Sequence, residues 1–326
     1  MTVRTTLFTL VSSAALVAGC SSAPAETAAG QANATGFPVT VDNCGETVTI
    51  ERPPTRAVGY FQQSTEIMLA LGLQDSVVGS VFPDNPPLPE YAEAYNAIPE
   101  ISNKDASFEQ LLAVQPDFVY GGYRSAFAES EGRARTAFAA AGITTYLSPE
   151  ACSTGPVRMA DVYAEVERIA TVFGVPERAE AVVDAMQRSV ADARGDLEDV
   201  PPLKVFVYDS GEDAAFTAGA KGIGTQVVEI AGGTNIFDDL DDVFGDVSWE
   251  QVIERDPDVI VVYDYFGAPG VENKKEFLRS RPELANVSAI KNDRFADLTL
   301  QDTVMGVRAP YAVAKLAAQL HPDRFR

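Results

Sequence analysis

A fourteen-residue stretch occurs twice in this chain, and any fold it adopts must accommodate both copies. Ser107-Phe108-Glu109-Gln110-Leu111-Leu112-Ala113-Val114-Gln115-Pro116-Asp117-Phe118-Val119-Tyr120 aligns without a gap on Ser248-Trp249-Glu250-Gln251-Val252-Ile253-Glu254-Arg255-Asp256-Pro257-Asp258-Val259-Ile260-Val261. Ser, Glu, Gln, Pro and Asp coincide, and the apolar positions agree as a class except where Ala113 and Val114 face Glu254 and Arg255. Each copy reads as a short helix that stops near Pro and leads into an apolar strand. A weaker echo pairs residues 65–72 with residues 225–232, each ending in Gly. Two lobes built to one plan would set Glu109 and Glu250 at equivalent, outward-facing helix starts. Complementing a helix dipole, worth about 0.3–1 kcal/mol, accounts for one such Glu better than for a matched pair.

Around the repeat, strands and helices alternate. Residues 57–59, 76–81, 118–120 and 143–147 read as buried strands, with helices over 64–71, 108–114 and 133–141 between them. The second half repeats the theme, with strands at 205–208, 259–262 and 295–298 and helices at 225–231, 249–255 and 310–320. Such alternation specifies an α/β fold with parallel sheets flanked by helices. Between the halves, Pro176 opens a helix with an apolar stripe at Ala179, Val182, Val183, Met186, Val190, Ala193 and Leu197. The expected organisation is an N-terminal lobe over 37–173, one long rigid connecting helix within 174–200, and a C-terminal lobe over 201–326. A chain of 326 residues suits two such lobes better than one core.

The first nineteen residues read as a signal peptide: Arg4 precedes an apolar run too short to span a bilayer. The run ends Leu16-Val17-Ala18-Gly19-Cys20, which resembles the lipobox of bacterial lipoproteins, with Cys20 as the lipidated N-terminus. Residues 20–36 then form a small, polar, flexible tether. With Cys20 assigned to lipid, Cys44 and Cys152 remain, both in turn-like segments. An exported chain suggests that they form one disulfide, the alternative being two free thiols. Lys+Arg 25 against Asp+Glu 47 gives a net charge of −22, which argues against nucleic acid as a partner. A single His, His321, rules out metal sites built on several imidazoles. No G-x-S-x-G elbow occurs and no G-x-G-x-x-G follows the first strand, so an enzyme is the weaker reading even though Asp209 and Glu212 could do acid–base work. A lipid-anchored scaffold would have no use for two matched Glu sites.

The order of these pieces resembles the helical-backbone substrate-binding proteins of ABC importers, which carry ferric siderophores, haem or cobalamin. The resemblance rests on Ser64-Thr65-Glu66, Leu69-Ala70-Leu71-Gly72-Leu73, Ser107-Phe108-Glu109 and Phe216-Thr217-Ala218-Gly219. It continues through residues 229–237, Val247-Ser248-Trp249-Glu250 and the closing Leu320-His321-Pro322-Asp323-Arg324-Phe325. The Cys44 turn and the Cys152 loop look like the actinobacterial iron-siderophore branch. The resemblance implies a monomeric, non-enzymatic, extracytoplasmic protein held at the cell membrane by its lipid. Its partner would be a permease dimer whose arginines meet Glu109 and Glu250.

Ligand contacts are then expected in loops at strand C-termini that face the other lobe. The candidates are Tyr60, Phe61, Tyr123, Arg124, Phe216, Trp249, Tyr263, Tyr265 and Arg308. Flat aromatic walls suit a rigid chelate, and an Arg can hold its oxygen shell, with Arg124 preferred to Arg308. Any one of the aromatics could equally fill a core, and Trp249 could pack behind Glu250. A wrapped siderophore has no open iron position, so neither a protein metal ligand nor a cofactor is expected. The acidic surface favours neutral or cationic hydroxamate chelates over anionic catecholates. Cobalamin is the alternative cargo and haem a further one; His321, in the closing segment, is expected to be structural.

Overall fold

The computed structural model describes residues 36–325; the signal segment, Cys20 and nearly all of the tether lie outside the described residues. A hairpin of β1 (Val39–Asn43) and β2 (Glu46–Ile50), turning at Cys44-Gly45, leads into the N-terminal lobe. There β3 (Ala57–Tyr60), β4 (Val77–Val81), β5 (Glu100–Ser102), β6 (Phe118–Gly121) and β7 (Thr144–Leu147) form a parallel sheet in the order β5-β4-β3-β6-β7. The C-terminal lobe contains β8 (Leu203–Tyr208), β9 (Ala215–Ala218), β10 (Gly233–Asn235), β11 (Phe244–Val247), β12 (Val259–Asp264) and β13 (Phe295–Thr299). Its parallel sheet runs β10-β8-β12-β13, beside an antiparallel pair of β9 and β11. In each sheet the first strand of the lobe sits between later ones, so β3/β6 and β8/β12 flank a point where the winding reverses.

The central strands of both parallel sheets are buried on both faces. In β12, Val-Ile-Val-Val-Tyr is buried throughout, the near-continuous apolar run that a helix-covered parallel sheet requires. Gly59 lets the chain turn tightly from β3 into the helix Gln62–Ala70: a Cβ there would stand 2.1 Å from Thr65 Oγ1. That helix starts two residues before the expected Ser64, and Phe61, not a Ser/Thr side chain, occupies its cap.

The two halves are joined by the helix Pro176–Asp196, whose 21 residues at about 1.5 Å each reach roughly 30 Å. It buries Ala179, Val183, Met186, Val190 and Ala193. This stripe packs against the helix Met159–Val172 from the N-terminal half and the closing helix Ala309–Leu320 from the other. Met159–Val172 escapes the apolar-spacing reading because Glu165 interrupts its inner face. That carboxylate is fully buried, accepting the Tyr120 and Tyr146 hydroxyls at 2.6 Å each and Arg168 Nη1 at 3.0 Å. No described helix is long and apolar enough to cross a membrane.

Polar groups tie the lobes together directly. The Glu150 carboxylate accepts the Ile223 amide at 2.8 Å, at the first residue of the helix Ile223–Ile230, and the Met305 amide at 2.7 Å. The Val157 amide donates to the Lys221 carbonyl at 2.9 Å, and the Phe266 amide to the Asp84 carbonyl at 2.7 Å. Asn85 Nδ2 adds a bond to the Asp264 carbonyl at 3.0 Å. Glu150 is held in turn by the Cys44–Cys152 disulfide, which fastens its loop to the N-terminal hairpin.

Two stability measurements follow from this interface. The disulfide spans 108 residues, so Cys152→Ser should lower unfolding stability by about 3–5 kcal/mol, and a non-reducing peptide map should join the two cysteines. Two alkylatable thiols in the native protein would contradict it. Burial pushes the Glu150 carboxyl up to about 7 against the pull of its two amide donors. A carboxyl group with a higher pKa folded than unfolded takes up a proton on folding between the two values. Its favourable contribution is therefore complete below the unfolded pKa and is lost as pH rises through about 7. Denaturation across that range should show a decline of about 3 kcal/mol through this group, which Glu150→Gln removes. An unchanged pH slope in the variant would assign the decline elsewhere.

Candidate functional site

A cavity of about 410 Å³ opens between the lobes at the carboxyl ends of the parallel strands. Phe61 follows β3, Phe82 follows β4 and Tyr123 follows β6; Asp209 follows β8, Tyr265 follows β12 and Leu300 follows β13. Those flanking β3/β6 and β8/β12 stand where the strand order reverses, the position at which open α/β sheets take ligands. Phe216 and Phe244 come from β9 and β11 and stack at 5.8 Å with 18° between their planes. Phe266, more than half exposed, stands on the same wall, and Asp84 and Ser210 complete the lining.

The N-terminal wall is held in a costly backbone conformation. Phe61 has φ 75° and ψ 151°, a region that bulky residues avoid, and Phe82 has φ 57°. Their amides are secured to Val81 and Ser102 carbonyls at 2.9 Å each. The turned backbone brings the Phe61 ring 5.2 Å from Phe82 and 4.7 Å, edge-on, from Tyr123. The Tyr123 hydroxyl is buried beside the Gln63 side chain.

Two carboxylates punctuate this aromatic surface, one from each lobe. Asp84 accepts Gln301 Nε2 at 2.6 Å; burial pushes its carboxyl up to about 7, with that hydrogen bond pulling the other way. Asp209 accepts the Tyr265 hydroxyl at 2.9 Å. Burial, followed by the neighbouring Asp209 charge, pushes that phenol up to about 12. Among the described residues, no Lys, Arg or His lines the cavity. Among the described residues no three His, Cys, Asp or Glu side chains gather in a metal-binding arrangement.

Of the residues singled out from sequence, Phe61, Tyr123, Phe216 and Tyr265 meet in this cleft. Five others lie elsewhere. Tyr60 is fully buried, its hydroxyl bonded to Asp105 Oδ1 and accepting the Ala106 amide, both at 3.0 Å. Trp249 packs among Phe206, Tyr208 and Phe277, donates to the Glu212 carbonyl at 2.9 Å and carries the Arg281 guanidinium on its ring. Tyr263 is enclosed behind Phe244. Arg124 is exposed and borders a separate depression beside the disulfide. Arg308 is turned away from the cleft into a buried bidentate pair, with Nε 2.7 Å from Glu66 Oε2 and Nη2 on Glu66 Oε1. It also donates to the Pro86 carbonyl at 2.8 Å. The sole histidine, His321, places Nε2 3.0 Å from the Gly232 carbonyl.

Sequence reasoning did not select Phe82, Asp84, Asp209, Phe266 or Leu300, although the loops carrying them are aromatic and follow strands. Phe244 had no local signal, because β11 follows an acidic run and pairs with β9 only in the folded chain.

Away from the cleft, Glu109 and Glu250 begin the helices Phe108–Ala113 and Trp249–Arg255. Both are exposed, and the helix-start amide and the capping Ser hydroxyl hold each carboxyl below its ordinary range.

The periplasmic binding protein profile matches residues 58–301. Over 324 residues the chain is 25% identical to an uncharacterized ABC transporter substrate-binding lipoprotein, YvrC, of Bacillus subtilis, covering 97% of this chain and 96% of that protein. A vitamin B12-binding protein of Yersinia pestis is 26% identical over 209 residues, 64% of this chain and 69% of that one. Among solved structures, an ABC-type Fe3+-hydroxamate transport system protein of Saccharomonospora viridis superimposes with a TM-score of 0.77 at 26% identity. It covers 87% of this chain and 99% of that one.

The Glu66–Arg308 pair yields a test of the assignment away from the cleft. Arg308→Ala leaves Glu66 charged and buried, so it should cost about 3–5 kcal/mol of unfolding stability. Glu66→Gln in the Arg308→Ala background should recover part of that loss. A ligand-contact role would instead give a stable protein with weakened ligand affinity in titration.

Proposed function

The chain belongs to the periplasmic binding protein family, and from that premise we propose that it captures a ferric hydroxamate siderophore between its lobes for delivery to an ABC importer. It is a substrate-binding protein and not an enzyme, of the importer class that handles siderophores, B12 or haem. The observation that carries the siderophore reading is the cleft itself: seven aromatic rings from both lobes around about 410 Å³, with no group of three His, Cys, Asp or Glu side chains among the described residues to hold a bare metal ion. A hexadentate chelate needs no protein ligand; it needs apolar walls and a few polar contacts at its edge. Cobalamin stays the second reading because of the similarity to B12-binding proteins.

Delivery is assigned to the repeat. Its Ser and Gln form identical capping boxes, and its Asp117 and Asp258 side chains accept the Arg56 amide at 2.9 Å and the Lys204 amide at 2.8 Å, fixing the adjacent strand. Among the described residues, the Glu109 and Glu250 side chains bond only to the start of their own helices. Exposed and matched, Glu109 and Glu250 suit a two-fold permease bearing arginines. Membrane attachment through lipid on Cys20, with the protein acting outside the cytoplasm as a monomer, belongs to the same proposal.

Titration with a ferric trihydroxamate, followed by calorimetry, tests capture; uptake of the same chelate by cells tests delivery. Glu109→Arg and Glu250→Arg should each hold the dissociation constant within about twofold while uptake falls more than about tenfold, since a like-charge clash costs several kcal/mol. Loss of chelate binding in either variant would mean that these side chains serve the cleft. Failure of any ferric hydroxamate to bind, with cyanocobalamin binding tightly, would establish the second reading instead.

A further inference from the structure

We propose that Asp84 and Asp209 are the specificity-determining residues of the cleft, and that they select a chelate bearing a cationic ammonium edge. The inference rests on the siderophore reading and deepens it. Both side chains are more than nine-tenths buried, at 6% and 5% exposure, yet each has only one oxygen satisfied by the protein. Gln301 Nε2 occupies Asp84 Oδ2 and the Tyr265 hydroxyl occupies Asp209 Oδ1. Among the described residues, Asp84 Oδ1 and Asp209 Oδ2 make no hydrogen bond. Both residues line the same cavity, one from each lobe.

Neither of these oxygens is closed off from solvent, so in the open cleft each is left to water, which a donor on a bound ligand can replace. The surrounding surface narrows what that can be. Phe61, Phe82, Phe216 and Tyr265 line the cavity, and aromatic ring faces attract cations. The basic groups nearby are committed elsewhere. Arg308 is paired with Glu66, and Lys274 lies behind the wall, 2.6 Å from the Tyr263 carbonyl and 4.5 Å from the Tyr265 ring centroid. Lys274 offsets part of the Asp209 charge from the protein side and leaves Asp84 without a counter-charge. An anionic chelate would meet two carboxylates, aromatic faces and a chain of net charge −22. An ammonium would find hydrogen-bond acceptors on both lobes.

The test compares ligands that differ only in this group. Calorimetry at about pH 8 would use ferrioxamine B, whose chain ends in a free ammonium, its N-acetylated and therefore neutral form, and a ferric tris-catecholate trianion. The wild-type protein should prefer the ammonium form by about tenfold, the difference between a charge-assisted and a neutral hydrogen bond. It should bind the catecholate least. Asp84→Asn and Asp209→Asn should each shrink the preference, and the double variant should bind both hydroxamates within about twofold of each other. Equal wild-type affinity for the ammonium and acetylated forms would overturn the inference and leave the siderophore reading standing. A preference that survives both substitutions overturns it as well. If neither hydroxamate binds, the siderophore reading falls and takes the inference with it.

Discussion

The pair formed by Glu66 and Arg308 carries one full charge from each half of the chain into an interface almost closed to water, with side-chain exposures of 1% and 6%. Removing two ions from water costs several kcal/mol each, and only close, bidentate geometry with additional hydrogen bonds returns that cost. The interface supplies those bonds: Gln62 Nε2 donates to the same Glu66 carboxylate at 3.0 Å, and Arg308 reaches the Pro86 carbonyl. Gln62 Oε1 accepts the Asp84 and Asn85 amides at 3.0 and 2.8 Å, which fixes the loop that crosses to Asp264 and Phe266. One network therefore sets both the separation of the lobes and the position of a cleft carboxylate. With Glu150 capping a helix of the other lobe, two buried carboxylates hold the halves in register, and the long helix alone does not have to.

The repeat shows how one local solution was used twice. Gln115 and Asp256, at the same position of the two copies, both adopt positive φ, 49° and 44°, immediately before Pro. The left-handed residue ends the helix, Pro prevents its continuation, and the following Asp clamps the neighbouring strand. The weaker echo behaves alike: Gly72 and Gly232 close their helices at φ 67° and 84°. Because β6 and β12 occupy equivalent places in their sheets, equal local geometry puts Glu109 and Glu250 at equivalent places on the two lobes.

What could be read from the sequence divides along this line between local and non-local causes. Alternating strands, the connecting helix and the repeat depend on spacing within some twenty residues, and the spacing is present in the chain. The cleft was legible as a set of loops, since aromatic residues following strands are unusual unless something uses them. Which ring points inward was not legible. Phe61 and Tyr60 are neighbours in sequence, and the backbone twist at Phe61 sends one ring to the cavity and the other to the core. Arg308 could not be told from a ligand-binding arginine, because its partner Glu66 is 242 residues away. Asp84 and Asp209 carry no local mark of their burial, because the surfaces that enclose them come from both lobes.

The strained residues add a last physical argument. A non-glycine residue held where Phe61 and Phe82 are costs on the order of 1–3 kcal/mol. Glycine would remove that cost at both positions, and apolar packing alone is available to a ring in many less demanding conformations. What glycine cannot supply is a ring at the end of β3 and another at the end of β4, meeting at 5.2 Å over the mouth of the sheet. Strain of this kind persists when the surroundings over-determine it, and here the amide bonds to Val81 and Ser102 do so. The N-terminal wall is thus assembled before any ligand arrives. A ligand entering it need not drive the ordering of these side chains, and its binding free energy can go to discrimination at the two carboxylates.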